Sequence, residues 1–591
     1  MSLDIARLIA VSSLMATQVE ISVASANIAN AGTTDYTEKT ANQAAVYNEG
    51  TGAGTVITGI TSNVDKLLLR SLMQSTSALG SADTSNTYLS QLQALYGSTS
   101  GSSGSGTSLA NTIASFESAI SSLSSTPGSA SLQANAVSAL DALASQLRQT
   151  SSGIQNLRSN ADSAIASSVS DVNQQLTTIA SLNAQIKQAV ASGQPTGDLE
   201  DQRNTALQDV ASKMNVSYFI SSSGDMQVYT ASGQALVDSS VHQLSCTPAS
   251  KVTAATTYSA SSSSGFSGIT VNGADVTSQI TSGNIGALIS LRDTVLPAAQ
   301  SQLDQLATTL AGSLNTVSNQ GASLPPPSTL TGTTVVTAAT PLTNVIGTVR
   351  IAVTDQSGNL SSYSDLNLSS YATVSDLLTA INGISGLSAT IDANGHVVIS
   401  STSGGKGVSI NEMSSSAGAS GGGLSDWLGL NNLVTATGAS DFAVRSDILS
   451  NPGLLPVASL DSSASLTTGS QVLSSGSTTV VNNIYSALTG STSFSAAGGL
   501  GSTTSSFADY AAAIVSNVAS KASAASTDLT AKQTTQSTFT SAMSSQSGVN
   551  LDEETARVST LNNQYTAASE LIKVIDQMFT SLVTAVQSAG T

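Results

Sequence analysis

The sequence predicts a mainly α protein with β-rich insertions: long terminal coiled-coil-type helices, a helical rod domain and inserted β domains. Three observations carry that reading. Apolar residues near the C-terminus hold a 4/3 spacing over four heptads, from Val558 to Val586. A second stripe, Ile154, Leu157, Ala161, Ile165, Val169, Val172, Leu176, Ile179, Leu182, Ile186 and Val190, continues for about ten helical turns. Between such stripes lie alternating segments broken at Gly224-Asp225 and Asn394-Gly395, as in β-hairpins.

Taken in order, the N-terminal helix is expected from about Leu3 to Asn30, roughly 42 Å long at 1.5 Å per residue. Its first seam is Ile5, Leu8, Ser12, Met15, Val19, Ser22, Ala26 and Ala29. A second, Leu14, Ile21 and Ile28, repeats every seven positions. Two seams leave more apolar surface than one neighbour covers. Gly32 stands where a left-handed stop is expected. The C-terminal helix, Leu551 to about Ser588, carries Val558, Leu561, Tyr565, Ala568, Ile572, Ile575, Phe579, Leu582 and Val586. Asn550 with Glu553 resembles a capping box, and Asp552, Glu553 and Glu554 suit the positive helix end. Ser, Thr and Ala dilute both seams, so isolated pairing is weak and the two ends are expected to fray or to be disordered in a monomer.

Inside these ends, Leu199 to Met214 reads as a helix. So does Leu288 to Val317, with Pro297 as a kink or entry point. Phe507 to Leu529, leading toward Phe539, makes another. Val216 to Val237 and Ala389 to Ser400 read as hairpins, the latter through a type I′ turn at Asn394-Gly395. Leu324-Pro325-Pro326-Pro327 is a stiff linker into a Ser/Thr/Gly-rich stretch, while 100–108 and 414–423 read as flexible loops. The expected division is 1–45 N-terminal axial helix region, 46–215 helical rod, 216–280 small β-rich insertion, 281–322 helical rod, 323–500 β-rich outer domain, 501–547 helical rod and 548–591 C-terminal axial coiled-coil helix.

Composition removes several functions. The 591 residues hold 36 Asp plus Glu against 18 Lys plus Arg, a net charge of −18. Phosphate binding needs clustered cations, so nucleic acid is not an expected partner, and anionic lipid is disfavoured. Charged residues make up 9 % of the chain, far below the usual ~25 %, which leaves a surface of hydroxyls and amides. Cys246 is the one thiol, so no intrachain disulfide forms. With only His242 and His396 beside it, no zinc set assembles. No run of 18 apolar residues occurs, so no membrane span is expected, and the N-terminus lacks the basic start of a cleaved secretory signal.

Chemical motifs are weak. Gly404-Gly405-Lys406-Gly407 lacks the spacing and the hydroxyl of a phosphate loop. Asp355 to Asn359 lacks the Gly position and the bidentate Glu of a calcium loop and reads as a turn. No nucleophile elbow is present. No catalytic, cofactor-binding or metal-binding residues are therefore expected, and the protein is expected not to be an enzyme.

Residues Ala24-Ser25-Ala26-Asn27-Ile28-Ala29-Asn30-Ala31-Gly32-Thr33-Thr34-Asp35-Tyr36 resemble the N-terminal signature of bacterial flagellar axial proteins (rod, hook and hook-associated proteins). Ser547-Gly548-Val549-Asn550-Leu551-Asp552-Glu553-Glu554, Asn563-Gln564-Tyr565 and Met578-Phe579 are similar to the C-terminal one. Val172-Asn173 through Ile186, Asp198-Leu199-Glu200-Asp201-Gln202-Arg203-Asn204, and Gly286 through Arg292-Asp293 look like the interior of the hook-associated members. The resemblance covers roughly 1–320 and 500–591. Asp35 departs from the family's usual Gly, and Glu38 from a common basic residue.

The resemblance implies a non-catalytic subunit, without cofactor, exported through the flagellar type III apparatus with an uncleaved N-terminus. It would lie outside the cell at the hook–filament junction. Implied partners are further copies of itself in a ring or helical layer, the hook protein, hook-associated protein 3 and an export chaperone. The subunit interface is expected at Ile5, Leu8, Met15, Val19, Ile21, Asn27, Ile28 and Asn30 of the first helix. On the last helix it is expected at Val558, Leu561, Tyr565, Ile572, Ile575, Phe579, Leu582 and Val586. The alternatives are a hook or distal rod subunit and, from another class, a secreted Ser/Thr-rich adhesin.

Overall fold

The computed structural model describes residues 3–33, 35–48, 51–97, 108–260, 265–418 and 421–590. Thr34 and most of the expected 100–108 loop lie outside these residues, as do 419 and 420 of the 414–423 loop. The helices of the first half are α1 (Leu3–Asn30), α2 (Lys66–Leu95), α3 (Leu109–Ser125), α4 (Ala130–Ala191) and α5 (Gly197–Lys213). There follow α6 (Gly283–Ser290), α7 (Leu296–Ser318), α8 (Val374–Asn382), α9 (Leu424–Leu428) and α10 (Ser446–Ser450). The last are α11 (Thr479–Thr489), α12 (Phe507–Ser547) and α13 (Leu551–Ala589). Contacts group the chain into two compact units: Met1–Thr87 with Ser159–Asp293 and Ala524–Thr591, and Tyr88–Arg158 with Thr294–Ser523.

In the first unit, α1 leads into an antiparallel hairpin of β1 (Lys39–Asn48) and β2 (Thr51–Ser62), with bulges after Asn42 and Val46. This hairpin was not foreseen, because Lys39 to Ser62 lacks regular alternation. The apolar stripe of α4 is buried from Ile154 to Ile186, whereas Val190 at its end is 64 % exposed. Beside it lies a three-stranded sheet of β3 (Val216–Ile220), β4 (Met226–Thr230) and β5 (Ala235–Val237), which includes the expected hairpin at Gly224-Asp225. Two asparagines of α4 hold extended chain against the helix. Asn183 donates to the Met226 carbonyl at 2.8 Å and accepts the Met226 N–H at 3.0 Å. Asn173 treats Leu244 in the same way, at 2.8 Å for both bonds.

The helix expected across 288–317 is interrupted. α6 widens into a π-turn over Leu291–Val295 before α7 begins. Pro297 explains the break: it has no N–H to donate, and its ring crowds the carbonyl four residues back, so the turn before it opens. α1 is the one described helix long and apolar enough to cross a membrane by length and composition. In this structure its faces lie against the β1–β2 hairpin and α13.

The second unit holds two three-stranded antiparallel sheets. One is ordered Leu387–Ile391, His396–Ser401, Thr329–Val335; the other Leu360–Asn367, Thr348–Asp355, Lys406–Asn411. Val349, Ile351, Val353, Leu377, Ile381, Ile399 and Val408 form their shared core. The hairpin at 389–400 exists, but its turn is not type I′. Gly395 is at φ +89° while Asn394 is not left-handed. Asp392 accepts the Gly395 N–H at 3.1 Å and donates its own N–H to His396 at 2.9 Å, giving a longer loop that ends on the glycine. α11 packs on α3 and α7, and Phe494 stacks on Tyr510 at 3.9 Å between ring centroids.

Replacing Asn183 by Ala strands the Met226 N–H and C=O, both buried, and removes one acceptor of Arg203. The substitution is expected to destabilise the first unit by about 2–3 kcal/mol. Urea unfolding followed by far-ultraviolet circular dichroism checks this.

Candidate functional site

The expected seam residues meet, but not as a frayed pair. Both end helices are fully formed and α1 packs along α13 within one chain, which corrects the expectation of disordered ends. The reason lies in the small residues. The buried positions of α1 are Ala10, Ala16, Thr17, Val23, Ala24 and Asn27, a narrow face that allows close approach. On α13 the buried residues are Glu554, Leu561, Ala568 and Ile575, each seven positions after the last. One heptad row of α13 is thus covered by its own chain. The companion row is not: Val558 and Ile572 are half-buried, while Tyr565, Phe579 and Val586 are exposed. On α1 the row Leu8, Met15, Ser22 and Ala29 faces solvent, with Leu8 at 64 % and Met15 at 62 % exposure. Ile5, Val19, Ile21 and Ile28 are half-buried.

The pair is antiparallel. Glu38, just past α1, donates its N–H to Ser547 at 2.8 Å, and its carboxylate lies 3.9 Å from Arg557, so the end of α1 meets the start of α13. α13 has 39 residues and α1 has 28, so α13 outruns its partner. The excess carries exposed Phe579, Leu582, Val583 and Val586. Asn550 caps α13 by accepting the N–H groups of Asp552 and Glu553. The hairpin closes on α1 through Gly54 (φ +123°), where a Cβ would stand 2.0 Å from Ser12 Oγ. Thr55 donates its N–H to that hydroxyl at 3.2 Å.

Two polar residues expected at a subunit interface are engaged inside the chain. Asn27, with 0 % exposure, donates to the Lys39 carbonyl at 2.9 Å, accepts the Lys39 N–H at 3.0 Å, and accepts the Tyr36 hydroxyl at 3.1 Å. Asn30 donates to Ala26 at 3.0 Å and so closes its own helix end. The helix stop also differs: Gly32 is not left-handed, whereas Asp35 is, at φ +61°.

The same corner holds a joint that sequence reasoning missed. The Lys39 ammonium, 6 % exposed, is paired with Asp201 of α5 and donates to the Thr37 carbonyl at 2.9 Å. Asp201 also accepts the Thr37 hydroxyl at 2.6 Å and its N–H at 3.0 Å. Gly197 makes room, since a Cβ there would stand 2.6 Å from Lys39 Cε. The signal was present in the acidic run Asp198 to Asp201, but its partner is 162 positions away. Burial, with Asp198, Asp201 and Glu554 nearby, pushes the Tyr36 hydroxyl up to about 12. Burial likewise raises Asp35, opposed by a bond from Thr205 and reinforced by Asp209 and Asp201.

The interior motifs are structural. Arg203 donates to Asn183 at 2.9 Å and to the Gly224 carbonyl at 2.8 Å, and burial lowers its pKa. Arg292 binds Asp162 at 2.7 Å and Asp293 at 2.8 Å, 4.6 Å above the Phe266 ring. Burial pulls against its charge, but the bonds to Asp293 and Asp162 outweigh that and raise it.

The weak motifs resolve as turns and strands. Lys406 opens a strand opposite Asp355. The Asp355 carboxylate takes the Ser357 and Asn359 N–H groups at 2.9 Å each. Its bonds from Asn359 hold it below the usual carboxylate range. His242 and His396 each lie beside an aspartate, Asp238 at 3.2 Å and Asp392 at 3.4 Å. Burial pushes up the Cys246 thiol, with Asp162 adding to the effect. Among the described residues no group of three His, Cys, Asp or Glu is placed to hold a metal.

Known proteins place this architecture. The model of the flagellar hook-associated protein FlgK helical domain matches residues 89–329. The flagellar basal body rod FlgEFG protein C-terminal model matches 540–585, and the flagella basal body rod protein model matches 8–37. No curated protein sequence matches the chain. The solved flagellar hook junction protein FlgK from Burkholderia pseudomallei is similar at 17 % identity and a TM-score of 0.50, covering 80 % of this chain and 99 % of that one. At that identity the likeness is one of fold. Rod-type ends around α1 and α13 make the chain a flagellar axial structural protein. Its interior assigns it further, to the FlgK family, that of hook-associated protein 1.

Asp201→Ala leaves the buried Lys39 ammonium only the exposed Asp198 carboxylate at 3.8 Å and is expected to destabilise the first unit by about 3 kcal/mol. Asp35→Gly removes a left-handed L-residue and a carboxylate crowded by Asp201 and Asp209, and is expected to stabilise by about 1 kcal/mol. Equilibrium unfolding of each variant against the parent chain tests the two signs.

Proposed function

We propose that the chain is the structural subunit that joins hook to filament in the bacterial flagellum, assembling through its end helices. One observation carries the reading: α1 and α13 each bury one heptad row within the chain and leave another outward, at Leu8 and Met15, and at Tyr565, Phe579 and Val586. Apolar rows repeated every seven residues fit a helical neighbour. A head-to-tail contact of this kind, made by every copy, builds a ring or helical layer. On this reading the interface is the outward part of the expected set, namely Ile5, Leu8, Met15, Val19, Ile21, Ile28, Val558, Tyr565, Ile572, Phe579, Leu582 and Val586, while Asn30 closes its own helix end. Asn27, Leu561 and Ile575 act one step back, by holding the pair that presents it. The segments 1–45 and 548–591 form the axial part, and 323–500 the outer domain.

The partners are further copies of the chain, the hook protein and hook-associated protein 3, with an export chaperone before assembly. The protein is extracellular, passes the type III apparatus without a cleaved signal, and performs no catalysis. A hook or distal rod subunit shares the same ends and differs in outcome, since it polymerises alone into long tubes.

Phe579→Ser, Leu582→Ser and Val586→Ser together leave the buried row at Leu561, Ala568 and Ile575 intact. The triple variant is expected to stay helical and monomeric while cells with hooks shed filament subunits into the medium. Cells that keep attached filaments and swim with this variant overturn the assignment of the outward row.

A further inference from the structure

Asparagine is followed by glycine at Asn272, Asn382 and Asn394. Glycine has no Cβ to keep its nitrogen away from the carboxamide carbon before it, so such pairs are open to attack. Two of them are tied down. The Gly383 N–H is donated into its helix end, to Ala380 at 3.1 Å and Thr379 at 3.2 Å, and the Asn382 carboxamide is clipped to Ala389. The Gly395 N–H is donated to Asp392 at 3.1 Å. The Gly273 N–H, by contrast, has no acceptor among the described residues.

Asn272 and Gly273 form the exposed tip of a hairpin between Thr270–Val271 and Ala274–Asp275, both at positive φ, +51° and +81°. Its strands are two residues each, so local opening costs little. The Asn272 carboxamide donates from Nδ2 to Nδ1 of His242 at 3.0 Å. An amide NH2 only donates, so Nδ1 is the unprotonated nitrogen of that ring. The ring proton then sits on Nε2, 3.2 Å from Asp238 Oδ1. Asp238 is fixed by accepting the Ser240 N–H at 2.9 Å, and the His242 N–H is donated to Leu236 at 2.9 Å. An aspartate that orients an imidazole, whose free nitrogen touches a reacting group, makes that imidazole a general base.

We propose that Asn272-Gly273 is a self-modification site, at which His242 catalyses conversion of the asparagine to aspartate and isoaspartate through a cyclic imide. The hairpin tip opens, the Gly273 nitrogen attacks Asn272 Cγ, and His242 Nδ1 takes the proton that nitrogen loses. Both nitrogens are then bonded to one carbon, so the same imidazole reaches both. It returns the proton to Nδ2, the Cγ–Nδ2 bond breaks, and ammonia leaves. Solvent water then opens the imide at either carbonyl, and nothing is oxidised or reduced. Asp238 is a positioning residue, since it touches only the imidazole. Each conversion adds one negative charge to the hairpin tip. The reaction lies within one chain and does not depend on the junction role.

The test holds the full chain in neutral buffer and follows the three Asn-Gly peptides by mass spectrometry, with isoaspartate detected by enzymatic methylation. Asn272 is expected to convert at least about tenfold faster than Asn382 and Asn394. In urea, where the fold no longer distinguishes them, the three should convert at similar rates, and Asn272 more slowly than in the native chain. His242→Gln keeps an acceptor for Nδ2 but supplies no base. It is expected to slow Asn272 by about tenfold or more and to leave Asn394 unchanged. If His242 merely clamps the turn, the same substitution speeds conversion, which is the opposite sign. A native Asn272 rate at or below its rate in urea overturns the proposal and needs no variant. So does a His242→Gln chain that converts Asn272 as fast as the parent.

Discussion

The structure depends on asparagine side chains that imitate a strand. In five places a helix holds a piece of extended chain by one carboxamide, which donates to the carbonyl and accepts the N–H of a single residue. Asn27 holds Lys39, Asn173 holds Leu244 and Asn183 holds Met226. Asn315 of α7 holds Val434, and Asn382 of α8 holds Ala389. Each bond contributes only about 1 kcal/mol net, but removing the amide strands two backbone groups at once. A chain that is 9 % charged has few salt bridges for docking loops onto helices, and the amide performs that task without dependence on pH or salt.

The charges that remain are used where an amide is too weak. Lys39–Asp201 and Arg292–Asp162 are almost wholly buried, and Arg350, itself 0 % exposed, forks onto Asp365 at 2.6 and 2.7 Å. Each pair joins segments from different elements. Such pairs add little net stability against an apolar alternative, yet they punish any wrong pairing, because a misplaced charge is left alone in the interior. In a sequence built of Ser, Thr, Ala and Gly, where apolar patterns are diluted and easily shifted, that penalty fixes which loop meets which helix.

This division of labour also explains what could be read in advance. The stripe of α4 and the row of α13 were legible because a helix exposes its partner face as a period, whatever that partner is. Which of two heptad rows turns inward was not legible: Leu561 and Phe579 are equally apolar, and the choice follows from the small face of α1 at Ala10, Thr17 and Ala24. Asn27 was legible as important but was assigned outward, since nothing local says that its partner is Lys39. The β1–β2 hairpin escaped because α1 and Gly54 support it, not alternation. The turn at Asn394-Gly395 and the stop near Gly32 were placed correctly in sequence but wrongly in geometry, as Asp392 and Asp35 do the work expected of their neighbours.

The weakness of the outward rows is itself informative. Leu8 and Met15 share their row with Ser22 and Ala29, so one copy offers few large side chains to a neighbour. Full burial of each gains about 1.5–3 kcal/mol, before the entropy lost on association. A single contact of that size does not hold two free subunits together. A subunit entering a partly built layer meets neighbours on several sides, and the gains then add while most of the entropy is lost once. On the interface proposed above, dilute rows keep the chain apart in solution and hold it at a growing end. Richer rows, with leucine at Ser22 and Ala29, would join copies wherever they met.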